Sequence, residues 1–382
     1  MQKILTIIGA RPQIIKAAAL SRAIKNKYAD KIQEVIVHTG QHYDENMSQV
    51  FFDELTIPSP NYNLNVGSAS HGKQTASMIE KMEEILLNEK PNCIVLYGDT
   101  NSTLAGAIAA SKIHIPVVHI EAGLRSFNKA MPEEINRIMC DHVSTLLFSP
   151  TKAGLENLKK EGFKENNQGP YSVDNPKIYH CGDVMFDNSL HFSKVSEVKT
   201  NVLAANELEK NNFILATIHR NNNTDDPKRL NALFSAMNKI ATENKIKIIL
   251  PLHPRTAKLL QQNLSAELYK TVSENTFIKI IEPVSFLEMI ALEKNAKLVI
   301  TDSGGVQKEA FFFERPCIIL RSETEWVELV ECGAAKIVDA DETQILNAYS
   351  YFSTKEQIQF PKLFGDGNAA EFICAEILKN IK

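Results

Sequence analysis

The chain has 382 residues, 44% hydrophobic and 23% charged, with a formal net charge of -4 and a pI near 6.2. This is the composition of a soluble globular protein long enough for two cores, and the mild acidity excludes a general binder of nucleic acid or anionic membranes, so any positive site must be local. The 6 cysteines, at 93, 140, 181, 317, 332 and 374, have no C-x-x-C spacing, which excludes a zinc ribbon or a dense disulfide framework and fits a reduced cytoplasm.

In chain order, strand-length apolar runs read KILTIIG, EVIVHTG, NCIVLYGD, PVVHIEAG, TLLFSP and KIYHCGD, each followed by a helical pattern such as PQIIKAAALSRAIKN. Repeated βα units predict an α/β fold with a parallel sheet covered on both faces, a doubly wound domain. Residues 162–177, GFKENNQGPYSVDNPK, lack periodicity and read as a long loop near a boundary. The pattern then restarts with NFILATIH, KIKIILPLH, TFIKIIE, AKLVITDSGG, PCIILR and AKIVDA, which predicts a second doubly wound domain. After FGDG, the apolar positions Ala370, Ile373, Cys374, Ile377, Leu378 and Ile381 share one helical face. The expected division is 1–175, 176–364 and a terminal helix, 365–382, that docks on the first domain. The N-terminal run is too short for a secretory signal, and no apolar stretch reaches the roughly 20 residues needed to cross a bilayer.

Ligands of doubly wound sheets bind beyond the carboxyl ends of the strands, so polar residues after each apolar run are the candidates. In the first domain these are Arg11, Lys16, His38, Gln41, His42, Asp99, Asn101, Glu121 and Arg125; in the second, His219, Arg220, His253, Arg255, Glu282, Asp302 and Ser303. TDSGGVQKEA, residues 301–310, ends a strand and opens a helix on two glycines, Gly304 and Gly305, where free N–H groups and the helix dipole suit a phosphate. Glu309, about two turns in, suits ribose hydroxyls; a plain strand-to-helix turn explains the same glycines. No nicotinamide fingerprint and no nucleotide-hydrolysing P-loop is present. Asp99, Glu121 and Glu133 follow successive elements and suit acid/base work, while helix capping explains Asp99 and Glu133 structurally. His219 and His253 stand at strand ends, suited to a phosphate or leaving group or merely solvated; no histidine pair has metal-ligand spacing. TEWVELVE around Trp326 reads as an amphipathic helix, with a lid over a ligand as the alternative.

Taken in order, G-x-R-P-x-x-I-K at 9–16, GDTNST at 98–103, HIEAGLRS at 119–126, PEEINR at 132–137, the His219 strand end, TDSGG-x-Q-x-E at 301–309 and GDG-x-A-A at 365–370 resemble the non-hydrolysing UDP-N-acetylglucosamine 2-epimerases over nearly the whole chain. The resemblance implies a glycosyltransferase-B-like fold, α/β with two Rossmann-like domains and an active site in the cleft between them. It implies a cytoplasmic homodimer that supplies sugars for surface polysaccharides such as lipopolysaccharide, with a UDP-activated amino sugar as substrate and neither cofactor nor metal. Carried over by motif, Arg11, His219, Ser303, Gly304, Gly305 and Glu309 meet UDP, with His253 and Arg321 counted at the same binding site. Lys16, Asp99, Glu121, Glu133 and Arg137 line the sugar, and the catalytic group is Asp99, Glu121, Glu133, His219 and Lys16. Hydrolysing relatives carry an acidic sequence where this chain has RPQ.

Two departures bear on substrate. The family has Glu where this chain has Gln13, and T-E-R-P-E where it has TEWVE, with Trp326 in the arginine's place. Both resemble the branch that epimerises UDP-2,3-diacetamido-2,3-dideoxy-glucuronate, and both positions are expected at the substrate: loss of an acid at Gln13 eases binding of a 6-carboxylate, while loss of the arginine cuts the other way unless Trp326 packs on the sugar or its second acetamide. UDP-N-acetylglucosamine is the alternative substrate. A retaining UDP-sugar glycosyltransferase and a non-catalytic nucleotide-sugar sensor are the competing classes.

Overall fold

The computed structural model describes residues 1–40, 57–252, 254–355 and 357–382. It forms two compact units, Met1–Asn188 together with Lys362–Lys382, and Ser189–Pro361.

The first unit is built on β1 (Gln2–Ile8), β2 (Ile32–His38), β3 (Tyr62–Asn63), β4 (Cys93–Tyr97), β5 (Val117–Ile120), β6 (Leu146–Ser149) and β7 (Lys177–His180), ordered β3-β2-β1-β4-β5-β6-β7. Neighbouring strands run parallel. Their inner residues are buried on both faces, which is why they read as unbroken apolar runs and not as alternation. Leu5, Ile7, Ile94 and Leu96 pack with Met78, Met82 and Leu86 of helix His71–Glu89 and with alanines of helix Asn101–Lys112. Gly106 lets that second helix lie close: a Cβ there would come within 2.7 Å of Ile7 Cδ1 and 2.8 Å of Leu96 Cδ2. The loop at 162–177 lies inside this unit, because β7 beyond it pairs with β6. The last helix, Ala369–Asn380, packs against helix Arg11–Ala23, and its first N–H groups donate to the buried Asp187 at 3.2 and 2.8 Å. A carboxylate satisfies donors and dipole together there.

The second unit carries β8 (Phe213–Thr217), β9 (Lys247–Pro251), β10 (Ile278–Ile281), β11 (Leu298–Thr301), β12 (Cys317–Ile319) and β13 (Ala335–Ile337), ordered β10-β9-β8-β11-β12-β13 and again parallel. Ile214, Ile248, Leu250 and Ile300 form its core with Leu233, Phe234 and Met237 of helix Pro227–Asn244. All twelve apolar runs expected as strands are strands. The addition is β3, two residues without an apolar pattern, held only by pairing with Val37 and His38 of β2.

In each sheet the strand order reverses once, between β1 and β4 in the first unit and between β8 and β11 in the second. At such a switch point the loops above the two strands diverge and leave a crevice at their carboxyl ends. Arg11 and Asp99 flank the first crevice, His219 and Ser303 the second.

Candidate active site

In the first unit the turn after β1 puts Arg11, exposed, at the first position of helix Arg11–Ala23, with Pro12 beside it where a missing N–H costs nothing. Gln13 lies beneath this turn, 1% exposed. Its amide oxygen accepts from Gly9 N at 2.9 Å and Ala10 N at 3.2 Å, and its amide nitrogen donates to the Tyr97 carbonyl and to Thr103 Oγ1, both at 2.9 Å. Both ends of the amide are thus used by the protein. The expectation of a Gln13 substrate contact is corrected: the side chain clamps the exits of β1 and β4, and a carboxylate in its place would set oxygen against the Tyr97 carbonyl.

One turn along, Lys16 forms an ion pair with Glu121, the residue after β5. Glu121 is buried at φ 72°, a left-handed conformation costly for a side chain with a Cβ. Gly98 makes room for the pair: it has φ 61°, and a Cβ there would stand 3.1 Å from Glu121 Oε2 and 3.3 Å from Lys16 Nζ. Next to it, Asp99 is ion-paired with Arg137, whose other nitrogen reaches Glu134 at 2.9 Å. Asn136 adds a 2.9 Å bond to the Asp99 carbonyl. Glu133 and Arg137 are spaced i,i+4 on helix Pro132–His142 and so share a face, with Glu133 exposed. Glu134, buried, accepts from the backbone N–H of Ser126 and of Phe127, both at 2.9 Å; these bonds and Arg137 outweigh its burial and hold its carboxyl below the usual range.

Beneath these acids runs a buried ion network that the sequence reading did not find. His119 Nδ1 lies 2.6 Å from Asp141 Oδ1, and Nε2 lies 2.9 Å from the Gly98 carbonyl. Asp141 also accepts from Gly123 N at 3.1 Å and Arg125 at 2.7 Å, and Arg125 continues to Glu161 at 2.7 Å. Burial opposes charge on His119, but the acidic groups beside it, Asp141 above all in geometry, hold its pKa well above 6.5.

In the second unit, Asp302 is fully buried at the end of β11 and accepts from His219 N at 3.1 Å, Arg220 N at 3.0 Å and Asn223 Nδ2 at 3.1 Å. His219 Nδ1 sits 3.2 Å from the same carboxylate, leaving a ring that is 54% exposed to present its other nitrogen. Ser303 caps helix Gly304–Phe312, and Gly304 and Gly305 form its first turn. A Cβ at Gly305 would meet nothing closer than 3.9 Å, so this turn is open to a ligand. Glu309, partly exposed, lies on the same helix. Arg321 makes a two-pronged pair with Glu325 at 2.8 and 2.9 Å. Arg220, Arg229 and Arg321 help line a cavity of about 390 Å³ beyond β8 and β12.

Trp326 does not project toward solvent: it is 8% exposed, its indole N–H donates to the Gly304 carbonyl at 3.0 Å, and Lys308 Nζ lies 4.4 Å above its ring. The expectation that it packs on the sugar is corrected, since its polar edge and one face already serve the protein. It precedes Val327–Glu331 as its cap residue, a short helix that buries Leu329 and exposes Val327, as an amphipathic helix does. His253, Gln41 and His42 lie outside the described residues. Among the described residues no three His, Cys, Asp or Glu side chains gather as a metal site, and no helix is long and apolar enough to cross a membrane.

The sequence profile described as UDP-N-acetylglucosamine 2-epimerase matches residues 24–378. A protein from Methanococcus maripaludis described as a UDP-N-acetylglucosamine 2-epimerase homolog is 47% identical over 99% of this chain and 100% of its own. The UDP-2,3-diacetamido-2,3-dideoxy-D-glucuronate 2-epimerase of Pseudomonas aeruginosa is also 47% identical, over 99% of each chain. This chain belongs to the UDP-N-acetylglucosamine 2-epimerase family.

It is of the non-hydrolysing kind and an isomerase, and its fold is the glycosyltransferase-B-like one expected. The solved Methanocaldococcus jannaschii UDP-GlcNAc 2-epimerase, in complex with UDP-GlcNAc and UDP, superimposes with a TM-score of 0.82 at 42% identity, covering 99% of this chain and 100% of that one. Of the candidates, the first unit brings together Lys16 with Glu121 and Asp99 with Arg137, on the ends of the paired strands β4 and β5. The second brings together His219, Asp302 and Ser303. Missed in the sequence were the supports: His119, Asp141, Glu134 and Lys308. HIEAGLRS and PEEINR contain two of them, but a support is identified only by its distant partner.

Proposed function

We propose that the chain epimerises UDP-2,3-diacetamido-2,3-dideoxy-glucuronate at C2 to its manno form, by elimination of UDP and re-addition, as a homodimer. The observation that carries the acid/base part is the pairing just described: two carboxylates, Asp99 and Glu121, each fixed by its own cation at adjacent strand ends. The hydrogen on C2 is not α to a carbonyl and is poorly acidic. Departure of UDP from C1 develops positive charge on the ring, and loss of the C2 proton to a carboxylate then gives a 2-acetamidoglucal. Delivery of a proton to the opposite face of C2, with return of the UDP oxygen to C1, gives the epimer. Asp99, Glu121 and Glu133 are the groups that take and return the proton. Arg11, His219 and the helix N-terminus at Gly304 and Gly305 stabilise the charge on the departing diphosphate, and Glu309 accepts from the ribose hydroxyls. Ser303, His253 and Arg321 belong to the same UDP side.

The substrate choice is supported by the Pseudomonas aeruginosa relative and by charge. Gln13 is neutral beneath the turn that carries Arg11, so this position adds no negative charge to oppose a 6-carboxylate. Where Trp326 replaces an arginine, Lys308 over its ring keeps a cation in place. UDP-N-acetylglucosamine is the second reading, supported by the relative from Methanocaldococcus jannaschii at 42% identity. Parallel assays decide between them: kcat/KM is expected to be at least about tenfold higher for the diacetamido-uronate, the scale on which one apolar group is discriminated. Equal values, or a preference for UDP-N-acetylglucosamine, overturn the substrate assignment.

A further inference from the structure

The loop from Glu121 to Met131 holds two non-glycine residues in the left-handed region, Glu121 at φ 72° and Phe127 at φ 58°. Glu121 is held there by Lys16. Phe127 is the more unusual: asparagine, aspartate and glycine adopt this conformation readily, whereas a bulky side chain does so against strain. It is nevertheless imposed, because the buried Glu134 accepts from the Phe127 N–H with one oxygen and from Ser126 N and Arg137 with the other. Arg137 in turn holds Asp99. One carboxylate therefore fixes both the strained aromatic and the cation of a proposed catalytic pair.

The result is a phenylalanine ring 77% exposed to solvent. Strain kept at a residue whose side chain is mostly exposed points to a use outside the protein. Through Glu134 and Arg137 the Phe127 backbone is tied to Asp99, and these groups, with Glu133 next to Glu134 in the chain, are all charged. Of an N-acetylated sugar bound against them, the acetamido methyls are the apolar parts. We propose that Phe127 is a specificity-determining residue whose ring packs on the acetamido group at C3 and so favours a 2,3-diacetamido sugar over one with a C3 hydroxyl. This rests on the first unit binding the sugar, as in the function proposed above.

The test is Phe127→Gly, with Phe127→Leu beside it, each assayed on UDP-2,3-diacetamido-2,3-dideoxy-glucuronate and on UDP-N-acetylglucosamine, with melting temperatures recorded. Glycine relieves the strain, so that variant is expected to melt at or above the wild-type temperature. The ratio of kcat/KM for the diacetamido sugar to that for UDP-N-acetylglucosamine is expected to fall about tenfold in the glycine variant, through KM, with leucine in between. An unchanged ratio in Phe127→Gly overturns the proposal, as does an equal loss on both substrates. The substrate assignment is read separately from the wild-type ratio: a wild type that prefers UDP-N-acetylglucosamine contradicts that assignment, while the shift on mutation still decides the role of Phe127.

Discussion

His119 has no neutral tautomer that suits its surroundings. One ring nitrogen faces a carboxylate and the other a carbonyl, both acceptors, so each nitrogen needs a proton and the ring is an imidazolium. The sign of its linkage follows: with its folded pKa raised, His119 contributes stability that is fully present below about pH 6.5 and is lost only as pH rises through the raised value. Asp141 works in the opposite sense; although burial opposes its charge, His119 and Arg125 lower its pKa, and its contribution is lost as pH falls through that lowered value. His119→Ala leaves Asp141 and the Gly98 carbonyl without this partner, and the expected cost is about 3–5 kcal/mol, the scale for breaking a buried ion pair. A clear fall in melting temperature at pH 7 checks it, and an unchanged one contradicts it. The same residue shows what a sequence hides. The motif HIEAGLRS makes Glu121 legible because it follows an apolar run, but His119 sits inside that run and its partner Asp141 is a helix-end residue. Gln13 and Trp326 failed in the converse way: each stands where a rim residue would, and only the hydrogen bonds show that it points into the protein.

At the scale of elements, the βα turns were readable because strand and helix periods differ and because Pro12, Ser303 and the paired glycines mark helix starts. How helices face one another was not readable. Glu293 on helix Phe286–Asn295 is fully buried next to Glu309 of helix Gly304–Phe312, in a stretch, LEKN, that resembles an ordinary helix end. Burial first, and then the neighbouring acid, raise the Glu293 pKa well above the ordinary 4.5. The folded chain thus retains a proton that the unfolded chain releases, so this pair's contribution weakens as pH rises from about 4.5 toward the raised value. Glu293→Gln keeps the shape and has no proton to lose. Its melting temperature is expected to exceed that of the wild type at pH 8, with the gap closing toward pH 5; parallel profiles across that range contradict the account. Position beside Glu309 ties this helix pair to the proposed ribose contact.

For the molecule as a whole, the repeated strand–helix pattern made two doubly wound sheets legible, and the switch point of each told where to look for a ligand. The short β3 was not legible, since two exposed polar-edged residues are a strand only by virtue of β2 beside them. Each unit carries one half of the proposed chemistry: fixed carboxylates in the first, and a glycine-opened helix with a buttressed histidine in the second. A glycosyltransferase with the same fold needs an acceptor, and a sensor turns nothing over. The most direct measurement is therefore incubation of the protein with the UDP-sugar alone in deuterated water, followed by analysis of C2, with Asp99→Asn as the comparison. The account predicts epimer formation with deuterium at C2 and a fall in turnover of about a hundredfold or more in the variant, the scale of a lost acid/base group. Epimer formed with no solvent deuterium at C2, or no epimer until a sugar acceptor is added, contradicts it.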